Sequence, residues 1–181
     1  GPGGNAFLGA AGSSEYMIFS LEQIVFWTCV CLLGYVYVGY PVLVYLASII
    51  SPRGVKKGEI EPTVTVLITA FNEENAIREK LENTLSIEYP KDKIEILVAS
   101  DGSTDRTDEI VKEFEDRGVK LFRKEGRVGK TATQNAAVEL ASGEIILFSD
   151  ATTAYRSDVF RTLLPNFADE SVGCVAGRLV Y

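Results

Sequence analysis

The chain has 181 residues, 46% of them hydrophobic, a formal net charge of −7 and no histidine. That length suits one ordinary domain plus an appendage, and the acidic balance argues against a nucleic-acid partner, whose binders present a basic face. Without histidine there is no Ser-His-Asp triad, Cys-His pair or His-ligated metal within these residues, so chemistry rests on carboxylates, Lys, Arg, hydroxyls and backbone groups.

Residues 1–14 are rich in Gly, Ala and Ser, and the opening Gly1-Pro2 resembles a protease-cleavage scar, so residues 1–19 read as a flexible leader. Ser20-Leu21-Glu22-Gln23 fits a helix capping box. From Ile24 to Ile50 no side chain is charged. A bilayer core needs roughly 20 such residues in a helix, so residues 20–50 read as one transmembrane helix, with Pro41 predicted to kink or divide it. The missing basic n-region speaks against a cleaved signal peptide. Upstream lie Glu15 and Glu22 without Lys or Arg; downstream come Arg53, Lys56 and Lys57. The positive-inside rule therefore puts the downstream part in the cytoplasm. Residues 51–62 read as a short polar linker. Cys29, Cys31 and Cys174 lack zinc-like spacing and read as small buried hydrophobes.

From Thr63 strands and helices alternate. Strands are predicted at Thr63–Ala70, Ile94–Ser100, Val119–Phe122, Glu144–Ser149 and Val172–Tyr181. Helices are predicted from the loop after Ala70 to about Leu85, from Asp105 to Asp116 with Gly118 at C′, from Lys130 to Ala141, and from Asp158 to Phe167 with Ser157 as cap. Such β-α-β repetition implies a doubly wound, mainly parallel sheet.

Ile94–Ser100 is an apolar run that ends on Asp101, just ahead of a Gly102 turn and a helix start. Strands one and four end on similar polar clusters, Thr69-Ala70-Phe71-Asn72-Glu73 and Asp150-Ala151-Thr152. A fourth loop carries Arg127-Val128-Gly129-Lys130. In a parallel sheet the carboxyl ends share one edge, where ligands bind, and this set suits a nucleoside diphosphate. Asp101 can accept from a base or ribose, Thr69 can support the base pocket, Lys130 and Arg127 can meet phosphate, and Asp150 can hold Mg²⁺ together with the phosphates. Simpler roles stay open. Asp101 can satisfy turn amides, Asn72 and Asp105 can be caps, Glu73 can face a helix dipole, Arg127 can be a solvated charge and Lys130 a helix-start lysine.

The ordered series TAFNEE, ASDGSTDRT, RVGKTATQNAA and ILFSDAT resembles family-2 inverting glycosyltransferases with the GT-A fold, over about Pro62 to Tyr181. The resemblance implies a nucleotide-sugar donor, often a UDP-sugar, with Mg²⁺ or Mn²⁺ bridging the diphosphate. Thr69, Asn72 and Glu73 match the first nucleotide motif, Asp101 the base-contacting aspartate, Lys130 the lysine after the third strand, and Asp150 the first aspartate of D-x-D. Two departures matter. Thr152 replaces the second aspartate of D-x-D, so metal affinity is expected to be weaker or more dependent on the diphosphate. The family's catalytic Asp or Glu, needed to deprotonate an acceptor hydroxyl, has no counterpart before Tyr181; Asp169 and Glu170 come too soon.

Residues 63–181 are thus expected to be the donor-binding half of a GT-A-like domain, truncated at its C-terminus and unable to turn over donor efficiently alone. The expected whole is a membrane-anchored transferase, at a bacterial inner membrane, acting on a polysaccharide or lipid-linked acceptor. A donor-binding subunit or regulator that needs a partner is the alternative. A dinucleotide oxidoreductase is disfavoured, because no G-x-G-x-x-G follows the first strand.

Overall fold

The computed structural model describes residues 20–51 and 54–178, so the leader 1–19 lies outside the described residues. The chain divides into two compact units that meet at Gly54–Val55. The first is helical: α1 (Leu21–Gly34), a π-helical turn (Tyr35–Gly39) and α2 (Tyr40–Ile50). Ser20 and Gln23 form the expected capping box. Pro41 has no N–H, so a regular α ladder there would leave a carbonyl unpaired. The chain instead widens by one residue, with the Tyr40 N–H donating to the Tyr35 carbonyl, a usual way to absorb such a defect. Gly39 helps, since a Cβ there would meet the Tyr35 ring at 3.1 Å. Leu21–Ile50 is 30 residues long and holds an 18-residue window with a mean hydropathy of 1.9, long and apolar enough to cross a membrane. Cys29 and Cys31 lie exposed on this helix among the described residues.

The second unit is built on a four-stranded sheet of order β3-β2-β1-β4. Its strands are β1 (Val64–Ala70), β2 (Ile94–Ser100), β3 (Val119–Arg123) and β4 (Ile145–Asp150), all parallel. β1 is central and buried along its whole length, as expected for a parallel strand covered on both faces. Helices α3 (Ile77–Leu85), α4 (Thr107–Lys112) and α6 (Val159–Leu163) supply Ile77, Leu81, Ile110, Val111 and Phe160 to one face. Helix α5 (Lys130–Val138) covers the other, packing Ala137 with Leu67, Leu97 and Ala99. Burial of each large side chain contributes roughly 1.5–3 kcal/mol. Gly143, before β4, has no room for a side chain: a Cβ would lie 2.4 Å from the Thr65 nitrogen.

Five expectations change. Residues 172–178 form no strand, and 179–181 lie outside the described residues; an apolar pattern makes a strand only where a neighbour pairs with its backbone, and none does so here. Cys174 is consequently exposed. Pro165 ends α6 early and a 3₁₀ turn, Leu164–Ala168, follows. Ser157 does not cap it, because its hydroxyl donates to Glu88 at 3.1 Å. The helix expected over 105–116 is α4 followed by a 3₁₀ turn, Glu115–Arg117, closed by Gly118 at φ +87°. Within this second unit, the segment just ahead of β1 is tied to residues after α6, with the Gly58 N–H on the Pro165 carbonyl at 3.1 Å.

At the amino ends of the strands, Glu95 ties four segments together. Its carboxylate accepts from the Thr65 hydroxyl (2.6 Å), the Lys120 ammonium (2.7 Å) and the Ser142 N–H (2.8 Å). Burial opposes its charge, but these donors outweigh burial and hold its pKa down at about 2, against an ordinary 4.5. A depressed carboxyl stabilises the fold fully above its unfolded pKa and loses that contribution as pH falls toward the folded value. Glu95→Gln is therefore expected to cost roughly 1–3 kcal/mol at neutral pH. The gap between wild-type and variant unfolding curves should narrow from pH 4.5 toward 2.

Candidate functional site

The parallel register sets the carboxyl ends level: Thr69 pairs with Ala99 on one side and Asp150 on the other. A cleft of about 300 Å³ opens along this edge, with Thr69, Phe71, Glu73, Asp101, Arg127, Lys130, Asp150 and Thr152 in its lining.

Asp101 sits at its base, 3% exposed. One carboxylate oxygen accepts from the Val128 N–H (3.0 Å), the Gly129 N–H (3.2 Å) and the Thr133 hydroxyl (2.7 Å); the other accepts from Gly129 at 3.0 Å. Asp101 thus satisfies amides, but those of the loop after β3 rather than of its own turn. Burial pushes its carboxyl upward; the Thr133 hydroxyl, the two amides and the nearby Arg127 outweigh it, and the net shift is downward. The turn itself needs Gly102, at φ +70°, where a Cβ would meet the Gly126 carbonyl oxygen at 2.7 Å.

The held loop carries the cations. Lys130 begins α5 and its ammonium lies 2.5 Å from the Asp150 carboxylate, both side chains half exposed. A lysine at a helix N-terminus faces an unfavourable dipole, and Asp150 supplies the compensating charge. Arg127 lies over the Phe71 ring, 4.2 Å from its centre. The Thr69 hydroxyl accepts from the Gln134 amide at 3.0 Å.

Asn72 falls outside the lining. It adopts φ 54° and its side-chain oxygen accepts from the Thr104 N–H at 2.8 Å. The Glu73 N–H donates to Thr107 Oγ1 at 2.8 Å, while the Glu73 carbonyl receives the first turn of α3. Asp105 accepts from the Thr107 N–H (3.0 Å) and the Glu74 N–H (3.0 Å). These contacts lace the loop after β1 to the loop after β2; Arg106 rather than Asp105 is the N-cap of α4, and Asp105 bridges its first amide to the Glu74 N–H. The sequence reading passed over Phe71, Thr133 and Lys80. A lysine in phase with Ile77 and Thr84 on the buried face of α3 was the available signal for the last.

Residues 65–181 match the model of Glycosyl transferase family 2. The chain belongs to that family. A beta-monoglucosyldiacylglycerol synthase of Nostoc sp. is 35% identical over 121 residues, which are 65% of this chain and 26% of that protein. The mannosyltransferase PcManGT of Pyrobaculum calidifontis, solved with GDP-Man and Mn²⁺, is 30% identical with a TM-score of 0.68; the match covers 79% of this chain and 44% of that one. Staphylococcus aureus TarS 1-349 with UDP-GlcNAc is 28% identical with a TM-score of 0.55, covering 60% of this chain and 31% of that one. The chain spans less than a third of the length of the first curated relatives it matches. The sheet, its flanking helices and these structural neighbours place the α/β unit in the GT-A fold.

The donor set can be tested against a divalent cation. Among the described residues no three His, Cys, Asp or Glu side chains converge on one point. Asp101 is engaged by the loop, which leaves Glu73 and Asp150 in the lining, and Asp150 is half exposed and paired with Lys130. Mg²⁺ commonly takes one or two carboxylates and completes its shell with substrate phosphates and water. This cleft fits a cation that arrives with a diphosphate rather than one bound in advance.

Asp101→Ala should free the loop after β3. Hydrogen exchange at the Val128 and Gly129 amides is expected to rise about tenfold or more, the share of one or two charge-assisted bonds. Because the Asp101 carboxyl is depressed, wild-type protection should hold from pH 7 to 5 and fade only below the ordinary aspartate range.

Proposed function

We propose that this chain is the donor-binding portion of a membrane-anchored, inverting glycosyltransferase. In this reading residues 20–50 form the membrane anchor and the unit from residue 63 onward binds a nucleotide-diphosphate sugar, taken to be a UDP-sugar. The sugar passes to a polysaccharide or lipid-linked acceptor. The observation that carries the reading is the convergence of three strand ends and the Lys130 helix start on one cleft, with a cation and a carboxylate at its mouth.

Within the cleft, Thr69 and Phe71 flank the nucleoside end and Asp101 accepts from base or ribose by exchanging one loop donor. Asn72 acts at a distance, by holding the loops together. Glu73 and Arg127 line the approach. Lys130 turns from Asp150 to the diphosphate and balances the charge that grows on the leaving group. Asp150, with diphosphate oxygens, would hold Mg²⁺ or Mn²⁺, which neutralises diphosphate charge when bound. The general base that an inverting transfer requires is not assigned to any residue of this cleft.

The apolar Leu21–Ile50 helix supports the anchor. The basic flank at Arg53, Lys56 and Lys57 supports a cytoplasmic α/β unit. An anchored enzyme suits an acceptor at the membrane, and one relative is by its name a diacylglycerol glycolipid synthase.

Calorimetric titration of the chain in detergent micelles tests this directly. UDP is expected to bind, more tightly than GDP, and Mn²⁺ should strengthen it about tenfold, ~1.4 kcal/mol. Asp150→Ala should remove the Mn²⁺ increment and leave metal-free UDP binding in place. Absence of nucleotide binding, or affinity indifferent to Mn²⁺ in the wild type, would contradict the proposal.

A further inference from the structure

Helix α3 carries a lysine where its pattern asks for an apolar residue. Lys80 is 2% exposed, on the same face as the buried Ile77, Leu81 and Thr84. Its ammonium donates to the Thr153 carbonyl at 2.6 Å and lies 3.9 Å from the centre of the Tyr155 ring. One turn on, the Asn83 side chain grips the Tyr155 backbone twice, donating to its carbonyl (2.8 Å) and accepting from its N–H (2.7 Å). The Thr153 N–H closes back on the Asp150 carbonyl at 3.2 Å. Helix α3 therefore holds, at two points, the segment that follows Asp150.

Burying an ammonium is costly unless its charge is used. Burial lowers the Lys80 pKa to about 8, partly offset by the charge of Asp150. A methionine of similar length would fill the same space without that cost, so packing alone does not explain a lysine.

We propose that Lys80 is a positioning residue for the diphosphate end of the cleft. With Asn83 it fixes the turn from Asp150 to Tyr155, so that the Asp150 carboxylate is presented to a divalent cation carried by a nucleoside diphosphate. The inference rests on the donor-site reading above. Charge alone works in the opposite sense, since a cation near Asp150 repels a dication and its removal would tighten metal binding. The sign of the change therefore separates positioning from electrostatics.

The test is UDP titration with and without Mn²⁺ for the full chain in detergent micelles, comparing wild type, Lys80→Met and Asn83→Ala, with a thermal melt of each. Both variants are expected to bind metal-free UDP like wild type and to lose about fivefold or more of the Mn²⁺ enhancement, the share of one hydrogen bond. General loosening of the fold would instead weaken both affinities. If Lys80→Met does not fold, Asn83→Ala, which keeps the ammonium, carries the same expectation. An Mn²⁺ enhancement that is unchanged or larger in a folded variant overturns the inference and leaves the donor-site reading standing. If wild type shows no Mn²⁺-dependent UDP binding, both fall together.

Discussion

A single buried carboxylate organises the mouth of this sheet. Asp101 directly follows β2, and its two oxygens collect two loop amides and a helix hydroxyl from residues that lie far along the chain. A buried carboxylate is tolerable only when its lone pairs are met, so the β3–α5 loop has one favourable way to close. That closure fixes where Arg127 and Lys130 stand, and the start of α5 brings Lys130 onto Asp150 of β4. The geometry of the cleft thus follows from satisfying one charge at the end of one strand.

The charge balance at the mouth is close. Lys130 neutralises Asp150 at rest, and Thr152 stands where a second acid would strengthen a cation site. Under the proposed function this arrangement would favour exchange: an incoming diphosphate would offer Lys130 a second partner and free the Asp150 carboxylate for a cation. Helix α3 holds the other side of the same turn through Lys80 and Asn83.

Much of the fold was readable because each parallel strand here is a short apolar run stopped by a polar turn. Ile94–Ser100 has the bounds its pattern implied, and β1 and β4 each begin one residue later than expected, β4 running on through Asp150. Parallel order then made convergence of the strand-end clusters a matter of topology. The segment at 172–178 failed the same logic because alternation says nothing about whether a neighbour is available to pair. The partners of Asp101 were hidden for a related reason: they lie about thirty residues away and depend on how the loop closes. Asn72 was placed in the cleft by its motif, yet its positive φ turns it to bind Thr104. Lys80 was legible as an ion on an apolar stripe, but its purpose emerged only once Thr153 and Tyr155 stood beside it.

Paramagnetic broadening by Mn²⁺ of the backbone amide resonances locates the donor site most directly. With UDP present, broadening is expected at Phe71, Gly129, Lys130, Ala151 and Thr152, while Gly118, Ser142 and Gly143 at the opposite edge of the sheet stay sharp. Without UDP the effect should be weak. Broadening centred on the opposite edge, or of equal strength without UDP, would contradict a cation brought to Asp150 by a nucleoside diphosphate.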